Sequence, residues 1–224
     1  NCINSWGPMY ENAFNAIEKT LRAEDGIANE LDYVEQTSWV LFLKYLHDLE
    51  SERRDQAELE SKPYTPIIDG KHRWDRWAAP KINGEFDHKN ALIGDDLVKF
   101  VDNDLFPYLA SFRQSASSPQ TIQYKIGEVF TELRSKFRSG YILRDVLEVV
   151  DGLSFNTQAQ RHELSELYET RIRTDKMSAS DFKKTPDQNL LRAGEKGAGL
   201  YYRYHEYGAA WHRSPQPDPH QHAQ

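Results

Sequence analysis

Apolar residues recur along this chain mostly at intervals of three and four, the spacing that lines one face of an α-helix. The densest run is TSWVLFLKYLHDLE, Thr37 to Glu50. Trp39, Phe42, Leu43, Leu46 and Leu49 follow the helical spacing there, and Val40, Leu41 and Tyr45 widen the band. So broad an apolar face predicts a helix packed on more than one side, the central pillar of the fold. Asp32 and Glu35 stand at the N-cap and N3 spacing of a capping box at its start. Beyond Glu50 the run SERRDQAELESK is nearly all polar or charged. It predicts a helical end that projects into solvent until Pro63.

The same reasoning marks out further helices. From Met9 to about Ala23, Tyr10, Phe14, Ile17 and Leu21 share a face. Gly94-Asp95-Asp96 starts a helix with Leu97, Phe100, Val101 and Leu105 inward, and Pro107 opens a short one over Tyr108 to Phe112. Ser118 and Pro119 read as N-cap and N1 of the best amphipathic helix, with Ile122, Ile126, Val129, Phe130, Leu133 and Phe137 inward and Gly140 as its stop. Ile142, Leu143, Val146, Leu147 and Val150 form the next. Thr157 and Gln160 make a capping box before Leu164, Leu167, Tyr168 and Ile172. The expectation is an all-α fold, a compact bundle of about six to eight helices. It divides the chain into a leader (1–8), a helical domain (9–173) and a glycine- and proline-rich, extended tail (174–224).

Composition narrows the class. The 12% of aromatic residues among 224 argues for a folded core, and no apolar run approaches the roughly 18 residues of a membrane span. Cys2 is the only cysteine, so intrachain disulfides and cysteine-based metal sites are excluded. The first residues have neither the basic start nor the apolar run of a signal peptide, and a cytoplasmic protein is expected. The net charge is -7. Residues 173–224 hold eight basic and six acidic residues, so the acidic excess lies entirely in the body. An acidic body lacks the footprint of an independent DNA-binding domain, and any nucleic-acid contact must be local or shared.

Five features bear on chemistry. Trp74 and Trp77 in HRWDRWAAP either dock a loop on the core or, beside Arg73 and Arg76, form a stacking platform for bases. His47-Asp48 is an HD pair, but no histidine precedes it to complete a phosphohydrolase metal centre. His205, His212, His220 and His222 lie in the tail without a scaffold for a metal, and GEKGAG (194–199) lacks the Gly-Lys-Ser/Thr of a phosphate loop. No metal, catalytic or cofactor-binding residue is expected. Lys125, Arg134, Lys136 and Arg138 give the amphipathic helix a basic outer side, interrupted by Glu128 and Glu132. These four, with Arg73 and Arg76, are the candidate nucleic-acid contacts.

Five stretches in order resemble the N-terminal helical domain of the methyltransferase (M, modification) subunit of type I restriction–modification systems. They are LDYVEQTSWVLFLKYLHDLE (31–50), RWDRWAAPK (73–81), GDDLVKFVDNDLFPYL (94–109), SPQTIQYKIGEVFTELRSKFRSGYILRDVLEVVD (118–151) and RHELSELYETRI (161–172). The resemblance implies an accessory domain for subunit assembly and for enclosing DNA. It implies as partners a DNA-specificity subunit, a second M subunit, a restriction (translocase/nuclease) subunit and double-stranded DNA. The parent enzyme transfers a methyl group from S-adenosylmethionine to N6 of adenine. RAGEKGAGLYYRYHEYG (192–208) keeps the glycines and the Tyr pair of the family's linker but not its Thr-Pro-Arg. The family's cofactor loop and its Asn-Pro-Pro-aromatic tetrapeptide are absent, so this chain alone is expected to be inactive, a truncated or C-terminally altered M subunit. The alternative is a pure protein-interaction module that does not touch DNA.

Overall fold

The computed structural model describes residues 7–155. Two long elements frame them: α2 (Glu30–Leu59) and a rod built from α4 (Gly94–Phe100), a five-residue π-helical turn (Val101–Leu105) and α5 (Phe106–Ser115). Around them lie α1 (Gly7–Leu21), the short α3 (Trp74–Trp77), α6 (Ile122–Glu132) and α7 (Gly140–Asp151). Strand is confined, among the described residues, to an antiparallel hairpin, β1 (Lys81–Ile82) with β2 (Glu85–Phe86). The fold is all-helical, as the periodicity predicts.

α2 is the pillar. Trp39, Val40, Leu43, Leu46 and Leu49 are buried, and α1, α3 and α7 all pack on it. The Trp39 ring meets Phe106 of the rod edge-on at 5.1 Å and Phe137 at 6.0 Å. Each such side chain, fully buried, contributes roughly 1.5–3 kcal/mol, so this contact set dominates the local energy. The charged end of α2 is exposed from Arg54 onward apart from Ala57, and Leu59 is 89% exposed.

Several helix boundaries differ from the sequence reading, each for a local reason. The N-cap of α2 is Asn29, whose side chain accepts the Asp32 N–H at 3.0 Å, while Asp32 reaches back to the Ala28 N–H at 3.1 Å. The box therefore sits three residues before the expected one, and Asp32 is its N3 member. Pro107 does not open a separate helix: the rod runs through it. Proline has no N–H, and its ring crowds the carbonyl four residues back. The chain widens to a π turn, in which the Phe106 N–H reaches Val101 O, and so carries the proline without breaking. Thr121, not Ser118, caps α6 through the Tyr124 N–H at 3.3 Å. Ser118 instead accepts the Thr121 N–H through its carbonyl, in a turn. Finally, α6 ends at Glu132, and Gly140 is the first residue of α7 rather than a stop. The first helix starts at Gly7, so the last two residues of the expected leader 1–8 belong to α1; its residues 1–6, the helix expected over Leu164 to Ile172 and the tail lie outside the described residues.

Candidate nucleic-acid interface

Between α6 and α7 the chain crosses the start of α2 as an extended strap, residues 133–139. Leu133 leaves α6 with φ -72° and ψ 145°. Leu133 and Phe137 are buried, while Arg134 and Arg138 between and beyond them are exposed. Four-residue spacing satisfies a helix, but it equally satisfies a strand, whose side chains alternate. The strap's backbone is then paired by side chains from elsewhere. Gln36 donates through Nε2 to Arg134 O (3.0 Å) and accepts the Lys136 N–H at Oε1 (3.0 Å). Glu24 accepts the N–H groups of Arg138 and Ser139, each at 3.1 Å, and that of Gly26 at 3.2 Å. Gly26 must be glycine, because a Cβ there would lie 1.7 Å from Lys136 O.

This geometry takes apart the basic helix face expected from the sequence. Lys125 remains on α6 and pairs with Glu128 at 3.3 Å. Arg134 turns back to the end of α6, donating through Nη1 to Thr131 O (3.1 Å) and Leu133 O (2.7 Å). Lys136 is held by Asp32 and, at 3.5 Å, by Glu35. These carboxylates favour its ammonium and raise its pKa despite the opposing burial. Arg138 lies over Gly26 and is exposed, with no ion pair among the described residues.

Arg73 and Arg76 sit elsewhere, around α3. Both indoles of that turn face inward: Trp74 donates through Nε1 to Asp151 (2.8 Å) and Trp77 to His72 O (3.1 Å). At 4% and 2% exposure they have no free face for a base, so the stacking platform is excluded and the docking reading holds. Arg73 forks onto Asp75 through Nε (3.0 Å) and Nη2 (2.7 Å). Arg76 is exposed and lines a cavity of about 270 Å³ with His47, Asp75, Lys81 and Asp151. The strap meets α2 at Asp32 to Gln36, whereas this loop meets it near His47, eleven residues on, or roughly 16 Å at 1.5 Å per residue. The six candidate cations therefore form two separate groups.

His47 is pushed below its ordinary pKa, chiefly by burial, with Asp48 opposing. Asp48 is taken up by Lys44 Nζ (2.5 Å) and the Phe155 N–H (3.2 Å). Among the described residues no cluster of His, Cys, Asp or Glu has a metal-holding arrangement. The tail histidines and GEKGAG lie outside them. Arg144 is a structural residue that the pattern reading passed over. It is buried, and its guanidinium donates to the carbonyls of Ala78, Trp77 (3.2 Å) and Leu92 (2.6 Å), tying the tryptophan loop and the hairpin loop to α7. Its signal was legible: residues 140, 143, 144 and 147 share the inner face of α7. Among the described residues no helix is long and apolar enough to cross a membrane.

Known proteins share this architecture. Residues 11–116 match the family model for the HsdM N-terminal domain. Over 159 residues the chain is 27% identical to the type I restriction enzyme EcoEI methylase subunit of Escherichia coli, covering 70% of this chain and 30% of that protein. A crystal structure of a type I restriction enzyme modification subunit from Vibrio vulnificus YJ016 matches with a TM-score of 0.66 at 30% identity. That match covers 81% of this chain and 38% of the other. A chain from a structure addressing complex assembly and conformational transition of the type I R-M system matches with a TM-score of 0.56 at 29% identity, over 73% of this chain and 29% of that one. This chain spans well under half the length of each relative. Residues 11–116 of its helical body thus resemble the HsdM N-terminal domain, and the chain as a whole is similar to part of type I methylase and modification subunits.

Proposed function

We propose that this chain is the accessory helical domain of a type I DNA adenine-N6 methyltransferase, serving subunit assembly and the enclosing of DNA while the methyl-transfer chemistry resides elsewhere in the parent enzyme. Its partners are a DNA-specificity subunit, a second M subunit and a restriction subunit, in the cytoplasm. The observation that carries the reading is the match of 81% and 73% of this chain to parts of two larger chains, one a type I modification subunit and one from a structure addressing complex assembly. S-adenosylmethionine is the cofactor of the parent enzyme, and no residue described in this body is assigned to hold it. Calorimetry of the chain with S-adenosylmethionine is expected to show no binding. Methylation of adenine in DNA by this chain alone would overturn the reading.

The second reading, a protein-interaction domain that never meets DNA, is favoured by the pairing of Lys125, Lys136 and Arg73 with Glu128, Asp32 and Asp75. Arg138 and Arg76 are left as the exposed cations with no ion pair or side-chain hydrogen bond among the described residues, whereas the exposed Arg134 donates to the carbonyls of Thr131 and Leu133. Each phosphate contact contributes about 0.9 to the slope of log affinity against log salt. Arg138→Glu and Arg76→Glu in the assembled complex are therefore expected to lower both DNA affinity and that slope. An unchanged slope would leave the interaction reading in place of DNA contact.

A further inference from the structure

We infer that the seam where the N-termini of α4 and α7 meet is a docking surface for a basic segment of a partner protein, with Tyr141 as its aromatic anchor. The inference rests on the assembly reading and specifies one of its surfaces. The two helix starts touch through their backbones: a Cβ on Gly140 would lie 1.8 Å from Gly94 O. The Tyr141 ring is laid across that junction, 3.5 Å from where a Gly94 Cβ would stand. Ile93 immediately precedes Gly94. Tyr141 is 66% exposed and Ile93 51%, two of the few large apolar side chains left open on the described surface. Elsewhere α7 buries Leu143, Val146, Leu147 and Val150, so Tyr141 stands on the helix's outer side, in line with Asp145 and Glu148 one and two turns on.

Charge selects the occupant. Asp95 and Asp96 at the start of α4, with Asp145 and Glu148 on α7, are exposed, against two exposed cations, Lys99 of α4 and Arg138, which precedes α7 and lies over Gly26. Such a rim repels nucleic-acid phosphates and anionic lipid headgroups. A second copy docking through the same patch would set acidic rim against acidic rim, because a two-fold interface pairs a surface with itself. A basic protein segment bringing an apolar tip satisfies both the aromatic centre and the rim. Tyrosine is also, with tryptophan and arginine, among the residue types enriched where such contacts are anchored.

The probe is the DNA-specificity subunit, titrated against the whole chain by calorimetry at several salt concentrations. Tyr141→Ala is expected to weaken binding at least tenfold, and Asp145→Lys to weaken it and flatten its salt dependence. Unchanged thermal melting of both variants verifies folding, which the exposure of both side chains leads one to expect. Binding by the wild type that neither substitution alters overturns the docking surface and leaves the assembly reading standing. Wild-type chain that does not bind the specificity subunit at all overturns both.

Discussion

The carboxylate of Asp48 on α2 accepts the backbone N–H of Phe155 at 3.2 Å, and this bond fixes where the chain lies after α7. Tyr10 of α1 donates to the adjacent Ser154 O at 2.5 Å, and the Phe155 ring lies 6.1 Å from the Tyr10 ring and 6.2 Å from Tyr45. Asp48 also neutralises Lys44, with both side chains about a tenth exposed. Asp48→Ala removes a buried charge and leaves the Lys44 ammonium and the Phe155 amide unsatisfied. Breaking one side of a buried pair costs about 3–5 kcal/mol. A urea unfolding curve is expected to shift by that amount, and a loss below 1 kcal/mol would show that Lys44 finds water instead.

His47, one residue earlier, gives stability a pH dependence of known sign. Burial disfavours its imidazolium, so its folded pKa lies below the ordinary 6.5. As pH falls below about 6.5 the unfolded chain takes up a proton that the folded chain does not, so stability is lost until the folded pKa is passed. Glu50 works in the opposite sense: burial raises its carboxyl above 4.5, so stability falls as pH rises from there to its folded value. His47→Gln is expected to flatten the acid-side loss of melting temperature below pH 6.5, and Glu50→Gln the loss as pH rises from about 4.5. Parallel profiles for wild type and His47→Gln would remove His47 as the cause.

Gly140 is among the tightest steric tests of the fold. Its missing side chain is what lets α7 start against Gly94. Overpacking a fitted contact usually costs about 1–3 kcal/mol, and here the obstacle is backbone, which cannot swing aside. Gly140→Ala is expected to reach or exceed the upper end of that range in thermal denaturation. Gly84→Ala is a useful contrast: nothing lies within 4 Å of a Cβ there, and its cost comes only from its φ of +86°.

Much of this body was legible because helix faces repeat. Tyr10, Phe14, Ile17 and Leu21 of α1, and Trp39, Leu43, Leu46 and Leu49 of α2, are buried as their spacing predicts. The strap escaped for a stated reason: Leu133 and Phe137 fit period 3.6 and period 2 alike, and what decides between them is distant in sequence. Gln36 and Glu24 supply the hydrogen bonds that an extended backbone needs, from about a hundred residues away. The candidate interface inherited that error, since a basic face requires the helix that would gather it. Boundaries failed where several polar residues compete for one cap, as Asn29 and Asp32 do.

The strap yields the last test, because its conformation depends on one buried carboxylate. Glu24 is 3% exposed and accepts three backbone N–H groups, from Gly26, Arg138 and Ser139. Leaving a buried donor unpaired costs about 1–3 kcal/mol, so Glu24→Ala is expected to destabilise the chain by about 3 kcal/mol or more. Glu24→Gln keeps one acceptor and turns an NH2 toward the other donors, so an intermediate loss is expected. Hydrogen exchange separates a local from a global effect. The amides of Arg138 and Ser139 should lose protection in Glu24→Gln while those in the middle of α2, such as Leu43 and Leu46, keep theirs. If all of them lose protection together, the strap is no independent unit and unfolds only with the pillar it crosses.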